Sequence, residues 1–368
     1  MRIYLAGGAV RDLLLGRTAT DKDYLVFGAE PDEFMRTFPK ARRVGKSFSV
    51  FILEGSEFVF PRGETLESDL LHRDLTINAM LLGPDGELIC HKNALQDLQN
   101  KVLRPASEES LLEDPLRTIR AARFSATFPE FTVLPELIDA MRETAQRGLL
   151  DDLPNDRIAR EVIKALGSSR PGNFLRTLAS AGCLSPWFTE FEGADETPAG
   201  PPKHHDSSVL EHTCRIMDAC AGDELTVWMA LCHDLGKTVT PKEELPRHIA
   251  HEKRGEPLAE KLALRLKMPN RYVLAGTIAS RQHMNAARYG DMKPGSRVTL
   301  LEKARKGRCL RELFELAKAD HGVDFREMAQ KECAAIQSVR LPPEAQNLGE
   351  ESGKRLHQLR AEKIMREL

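Results

Sequence analysis

Asp21 and Asp23 stand at the start of the apolar run YLVFG. Residues two apart in a strand share a face, so the two carboxylates lie side by side. They repel unless a cation sits between them, and such a pair can hold Mg²⁺ for phosphoryl transfer with two metals. The same spacing also serves a solvated acidic turn. Upstream, LAGGAVRD runs an apolar strand into Gly7-Gly8 and then a helix carrying Arg11. Paired glycines admit a close ligand, and free N–H groups beyond them suit phosphate, although a plain strand–helix turn reads the same way. Glu64, in FPRGE after another apolar run, is a candidate third carboxylate by position, or a surface glutamate.

Asp114, Arg117, Arg120 and Arg123 recur at steps of three in LLEDPLRTIRAARF. On one helix they form a ridge drifting roughly 60° per step, with Pro115 in its first turn. A solvated face with ion pairs is the simplest use of such a ridge. A sharper use reads base edges. Cytosine offers an amino donor beside ring acceptors, so a carboxylate takes the amino group while a guanidinium donates to the ring. One Asp–Arg pair reads cytosine or adenine with a small shift.

A second constellation lies further along: His212 in EHTCRI, His233-Asp234 in LCHDLGK and Asp320 in AKADHG. Two imidazoles and two carboxylates suit a divalent transition metal such as Ni²⁺, Mn²⁺ or Zn²⁺. His248, His251 and His283 are either ligands of a second site, phosphate contacts or surface histidines.

These groups need elements to hold them. IYLAGG (3–8), DYLVFG (23–28), SVFIL (49–53) and EFVF (57–60) read as strands. Beyond about residue 110, apolar positions recur at three and four almost throughout. Strands first and helices after imply an α+β chain with a helical extension. The Gly/Pro-rich stretch 191–203 reads as a linker, 341–353 as a loop, and KRLHQLRAEKIMREL as a charged helix. The division that follows is 1–105, 106–165, 166–203, 204–335 and a tail at 336–368.

Composition is that of a soluble globular protein, with 41% hydrophobic and 29% charged residues. A net charge of −2 argues against gripping a polyanion by bulk charge, but not against local basic surfaces. No apolar stretch is long enough to span a membrane, and the N-terminus lacks a secretory pattern, so a cytoplasmic protein is expected. Seven scattered cysteines without a CxxC pair indicate neither a disulfide framework nor a zinc ribbon.

GGAVRD, then D-x-D, then HRDLTINAM (72–80) form a specific combination. The chain resembles the class II tRNA nucleotidyltransferases, which build the 3′ CCA end of tRNA, and the related bacterial poly(A) polymerases. The resemblance implies a polymerase-β-type head with a mixed sheet, a helical neck and body, and substrates CTP, ATP and tRNA. It assigns Gly8 and Arg11 to the triphosphate, Asp21 and Asp23 to catalytic Mg²⁺, and Arg73 to the incoming nucleotide. Glu113, Asp114 and Arg117 match the family's E-D-x-x-R element, whose Asp and Arg replace a nucleic-acid template. Arg120 and Arg123 match two further nucleotide-binding arginines. The family usually has arginine where His72 stands.

LCHDLGK with its partners is similar to the HD phosphohydrolases. A branch of bacterial CCA enzymes carries such a domain after the head, some with metal-dependent phosphatase and 2′,3′-cyclic phosphodiesterase activity. Relatives that add the terminal A carry a longer flexible segment before T-L-E-x-D-L; here PRGE runs straight into TLESDL. Among relatives, loss of that segment accompanies enzymes that add CC and stop, which is the expectation for this chain; the alternative is a lineage-specific trimming with full CCA addition retained. Basic residues in KARKGRCLREL (303–313) and in the tail offer phosphate contacts or simply solvated faces. A monomer or homodimer fits equally, and a poly(A) polymerase or an HD phosphohydrolase or nucleotide sensor with a non-catalytic head are the rival functions.

Overall fold

The structure is a computed structural model that describes residues 1–19, 22–44, 50–203 and 206–367. Asp21 lies outside them, as does Ser49 of the third expected strand. Two compact units are present: Met1–Leu153 with Ser180–Cys183, and Pro154–Ala179 with Leu184–Leu368.

The first unit is built on a seven-stranded sheet in the order β3-β4-β5-β2-β1-β6-β7. Its strands are β1 (Arg2–Ala6), β2 (Asp23–Phe27), β3 (Arg42–Val44), β4 (Val50–Leu53), β5 (Ser56–Val59), β6 (Met80–Leu82) and β7 (Leu88–Cys90). Only β2 and β5 pair in parallel, so the sheet is mixed. Alternation along β2 buries Leu25 in one cluster, with Tyr4, Leu70 and Leu81, and Val26 in another, with Phe34, Phe51 and Phe58. Helices α1 (Gly8–Leu14), α2 (Pro31–Thr37), α3 (Leu66–Leu71) and α4 (Ala94–Asn100) accompany the strands. A small parallel pair, β8 (Val102–Leu103) with β9 (Thr132–Val133), leads to α5 (Ser110–Glu113), α6 (Leu116–Thr127) and α7 (Pro135–Gln146).

The second unit is helical: α8 (Asn155–Leu166), α9 (Gly172–Ser180), α10 (Val209–Ala219), α11 (Glu224–Cys232), α12 (His251–Arg265), α13 (Asn270–Ala287), α14 (Pro294–Lys306), α15 (Leu310–His321), α16 (Arg326–Ser338) and α17 (Glu350–Glu367). Helix α11 is buried on every side, with Trp228 and Met229 fully inside, so it forms the unit's core rather than an amphipathic face.

Two local readings change. The ridge from Asp114 to Arg123 is not one helix. Asp114 caps α5 in extended conformation (φ −137°, ψ 90°), and α6 starts beyond Pro115. Proline disfavours helical conformation in the residue before it, which takes Asp114 off the ridge. The stretch 191–203 is packed: Ala194 and Ala199 are fully buried, and Ala199 N–H donates to the Ser207 carbonyl. Among the described residues, no helix is long and apolar enough to cross a membrane, and all seven cysteines are free thiols.

Candidate functional site

At the head, β1 ends at Ala6 and Gly7 turns the chain into α1 with φ +66°, a conformation only glycine adopts without strain. A Cβ on Gly8 would stand 3.3 Å from Arg11 Nη2, so the second glycine leaves room for that guanidinium to fold back. Arg11 is almost buried. Its Nε and Nη2 donate to Asp12 Oδ1 (2.9 and 2.8 Å), and its Nη1 donates to Asn78 Oδ1 (2.5 Å). The Phe128 ring lies 4.6 Å from its centre.

Asn78 continues a chain of contacts. Its Nδ2 donates to Asp74 Oδ1 (2.9 Å), and Asp74 Oδ2 accepts from Arg120 Nε and Nη2 (2.9 and 2.7 Å). Burial alone would raise the Asp74 pKa. The Arg120 charge and the donors Asn78, Arg120 and the Leu75 N–H outweigh it and hold the carboxyl well below its usual range. A buried, ionised Asp74 therefore couples the arginine of GGAVRD to the arginine of α6.

Asp23 opens β2 at the exposed end of the strand. Its register partner on β5 is Glu57, a carboxylate that reading along the chain passed over. Glu64, the expected third carboxylate, sits exposed in the bend before α3. Carboxylate oxygens are the hard donors Mg²⁺ takes, and the Asp23–Glu57 register suits it. Arg73 donates to Asp69 Oδ2 from Nε (3.0 Å) and Nη2 (2.6 Å), while Asp69 also accepts the Arg62 N–H. Between β5 and α3 the chain has only residues 60–65, and Thr65 and Ser68 cap α3 reciprocally.

Arg117 is buried on α6. Its Nη1 donates to the Ser110 carbonyl and its Nη2 to the His72 carbonyl, both at 2.5 Å. Burial first and then the nearby Arg62 charge lower its pKa. His72 Nδ1 pairs with Glu113 (2.8 Å), so the residue at the family's arginine position still reaches the α5 end. Arg123 stacks on Phe124 at 4.1 Å. Phe124 and Phe128, one helical turn apart, thus hold Arg11, Arg17 and Arg123 against aromatic faces.

In the second unit, α10 brings His212, the end of α11 His233 and Asp234, and α15 Asp320. His212 Nε2 is 3.2 Å from both Asp234 Oδ2 and Asp320 Oδ1, and His233 Nε2 is 3.2 Å from Asp234 Oδ2. Two histidines only weakly marked in the sequence complete a second trio. His251 Nε2 and His283 Nε2 are 3.3 and 3.5 Å from Asp234 Oδ1, and 3.1 Å from each other. His248 is not part of it: its ring bonds the Thr240 hydroxyl and the Pro198 carbonyl. A close approach of Gly236 to α12 sets the distances, since a Cβ on Gly236 would fall 1.9 Å from the His251 carbonyl.

Whether these residues fit a metal is decided by their protons. His233, His251 and His283 each place Nδ1 on a backbone carbonyl, at 2.6, 2.9 and 3.1 Å. Nδ1 is then the donor, and in the neutral ring Nε2 is left as the acceptor atom that faces inward. Burial keeps His283 neutral, with its pKa down at about 3. Two lone pairs 3.1 Å apart repel unless a cation lies between them. Neither Asp234 oxygen has a hydrogen bond of proper geometry, although Lys237 Nζ stands 2.7 Å from Oδ2. Donors about 2.0–2.2 Å from a metal stand roughly 3.0–3.5 Å apart, which is the spacing seen here. The trios fit divalent metal ions, with Asp234 shared. Burial lowers the His212 pKa, but the Asp234 and Asp320 carboxylates 3.2 Å from its Nε2 prevail and raise it to about 9.

Three family models match the chain: the Poly A polymerase head domain over residues 3–56, the probable RNA and SrmB-binding site of polymerase A over 130–194, and the HD domain over 205–320. A multifunctional CCA protein of Stenotrophomonas maltophilia is 39% identical, covering 84% of this chain and 81% of its own length. One from Dechloromonas aromatica is 37% identical, covering 87% and 83%. The fold is similar to the Bacillus stearothermophilus CCA-adding enzyme in complex with CTP, with TM-score 0.63, 24% identity and coverage of 91% of this chain and 78% of that one. Such identity over more than four fifths of both partners establishes that the chain belongs to the multifunctional CCA proteins, CCA-adding tRNA nucleotidyltransferases with an HD domain.

Proposed function

We propose that the chain adds C residues to the 3′ end of tRNA from CTP and stops at CC. The coupling of Arg11 to Arg120 through Asn78 and Asp74 carries the nucleotide-addition part of this reading, and the short segment 60–65 before α3 carries the stop at CC. The coupling ties the phosphate-binding turn to the helix beside the templating pair, so triphosphate and base are held in one frame. Gly8 and Arg11 take the triphosphate, Arg73 contacts the incoming nucleotide, and Asp114 with Arg117 take the base edge. Arg120 and Arg123 supply further positive charge. UTP is rejected because it turns an acceptor toward Asp114 where cytosine turns its amino group; an unpaired carboxylate there costs about 1–3 kcal/mol.

Asp21 and Asp23, with Glu57 beside Asp23 in register, hold Mg²⁺. When bound, Mg²⁺ eases ionisation of the terminal 3′-OH and neutralises the triphosphate as pyrophosphate leaves. Arg117 is anchored to the Ser110 carbonyl of α5 and the His72 carbonyl at the end of α3, so turning from C to A requires moving the segments around Asp114. Only residues 60–65 lead into α3, which leaves no lever to drive that movement. Offering a tRNA transcript that lacks its tail CTP, then CTP with ATP, and sequencing the products tests this reading. Products ending in full CCA at comparable rates refute the CC stop.

In the HD unit, His212, His233, Asp234 and Asp320, joined by His251 and His283, hold transition metal ions. Such ions activate water for attack on a phosphate ester. Lys237, paired with Asp234, balances charge beside the cluster. The substrate class is a phosphomonoester or a 2′,3′-cyclic phosphate. The division into head (1–105), neck (106–165), body (166–203), HD domain (204–335) and tail (336–368) belongs to this proposal, as do a cytoplasmic setting and a monomer or homodimer.

A further inference from the structure

A groove of about 590 Å³ opens between α13 and α14, within the HD unit. It is lined by Arg281, Gln282 and Asn285 of α13, by Arg288 that caps it, and by Thr299 and Lys303 of α14. A second depression shares the first four of these and extends past Glu252 and Lys253. The lining does not fit a small apolar ligand. It holds no aromatic ring, and Met292 and Leu300 are its only large apolar members. Ligand pockets for drug-sized molecules are mostly apolar and aromatic. Amides, hydroxyls and cations dominate instead, with Asp291 the one carboxylate lining the larger groove.

Spacing gives the cations a direction. Arg281 and Asn285 share one face of α13, and Arg288 caps the helix seven residues beyond Arg281, roughly 10.5 Å along the axis. Arg281 is held only loosely, at 3.6 Å from Glu252 and 3.5 Å from Glu256. Arg288 bonds only the neutral Asn285, and the Lys303 ammonium meets no partner among the described residues. Arg288 and Lys303, with no carboxylate partner among the described residues, and Arg281, shared with Glu252 and Glu256, match phosphates along a polar trough, and neighbouring amides and hydroxyls match phosphate oxygens and 2′-hydroxyls.

We propose that this α13–α14 groove seats the sugar–phosphate backbone of the RNA substrate. The inference rests on the tRNA reading above for its ligand but uses residues that play no part in nucleotide choice. It also lies outside residues 130–194, where the RNA-binding family model matches.

The test compares two double variants of the full chain with equal charge change. One is Arg288→Glu with Lys303→Glu in the groove. The other is Lys261→Glu with Lys331→Glu, both exposed on α12 and α16. Binding of a labelled tRNA transcript lacking CCA is followed by anisotropy across salt, with thermal melting to check folding. The groove pair weakens binding about tenfold or more and lowers the salt slope by about 1–2, as expected for losing two phosphate contacts. The control pair changes little, and the CTP KM at saturating RNA is unchanged in both. Equal behaviour of the two pairs overturns the proposal. So does displacement of wild-type-bound tRNA by millimolar inorganic pyrophosphate only when the groove is intact, which would mark a small-anion site. Should wild type bind tRNA yet fail to extend it, the nucleotidyltransferase reading falls while the binding comparison still judges the groove.

Discussion

Replacing Asp74 with asparagine keeps the side-chain shape and removes its charge. The carboxylate accepts from Arg120 twice, from Asn78 and from the Leu75 N–H. An asparagine can still accept from Asn78 and Leu75, but its amide then turns a donor toward the Arg120 guanidinium. Two charge-assisted hydrogen bonds are lost. Arg120 is 35% exposed, so water recovers part of the loss. The net cost is about 2–3 kcal/mol, equivalent to roughly 30- to 150-fold faster opening. Hydrogen exchange of peptides spanning 74–82 reads this directly. Both tryptophans, Trp187 and Trp228, belong to the other unit and would not report it. The pH dependence supplies a second check. The unfolded carboxyl titrates near about 3.9, and the folded one lower. The stabilisation is thus fully present above about pH 4 and is lost as pH falls through the folded value. The gap between wild type and Asp74→Asn is full at neutral pH and narrows near about pH 3, with exchange times lengthened to match slower chemistry. Equal protection at neutral pH, or a gap that ignores acid, would refute the coupling. Because Arg120 is released, the CTP KM should also rise.

Asp23→Ala abolishes nucleotide addition in a folded protein; near-normal incorporation by the variant sinks the metal assignment. His233→Ala with Asp234→Ala removes bound transition metal and any hydrolysis of 2′,3′-cyclic phosphates while sparing CTP incorporation. Equal loss of both activities in that variant contradicts separate sites. Phe128→Leu deprives Arg11 of its aromatic face, a contact worth about 0.5–2 kcal/mol, and raises the CTP KM about 2- to 30-fold. Phe128→Tyr restores it, and a leucine variant with unchanged KM removes Phe128 from the account.

The motifs with short spacing were legible because their chemistry is local. GGAVRD runs from strand through a glycine turn into a helix, and Asp23 opens its strand, as their local pattern implies; Asp21 lies outside the described residues. Asp114 was misplaced because a helical period was extended through Pro115, whose effect falls on the residue before it. Glu57 escaped notice for another reason. Its nearness to Asp23 arises from the parallel β2–β5 register, and register across strands has no signature along the chain. In sequence His251 and His283 stay open between second-site ligands, phosphate contacts and surface histidines; α12, α13 and the Gly236 contact bring them to Asp234. The stretch 191–203 looked like a linker because glycine and proline mark packed turns as readily as open ones. Its buried alanines and the Lys237 bond to the Ala199 carbonyl depend on partners distant in sequence.

The most direct test of the central claim is a single extension assay. A tRNA transcript ending at its discriminator base is offered CTP alone, ATP alone, and both together. The account predicts two C residues from CTP, nothing from ATP alone, and products that still end in CC when both are present. Products ending in CCA at comparable rates when both are present, an A tail grown from ATP alone, or no incorporation of C at all by folded protein with Mg²⁺, would contradict it.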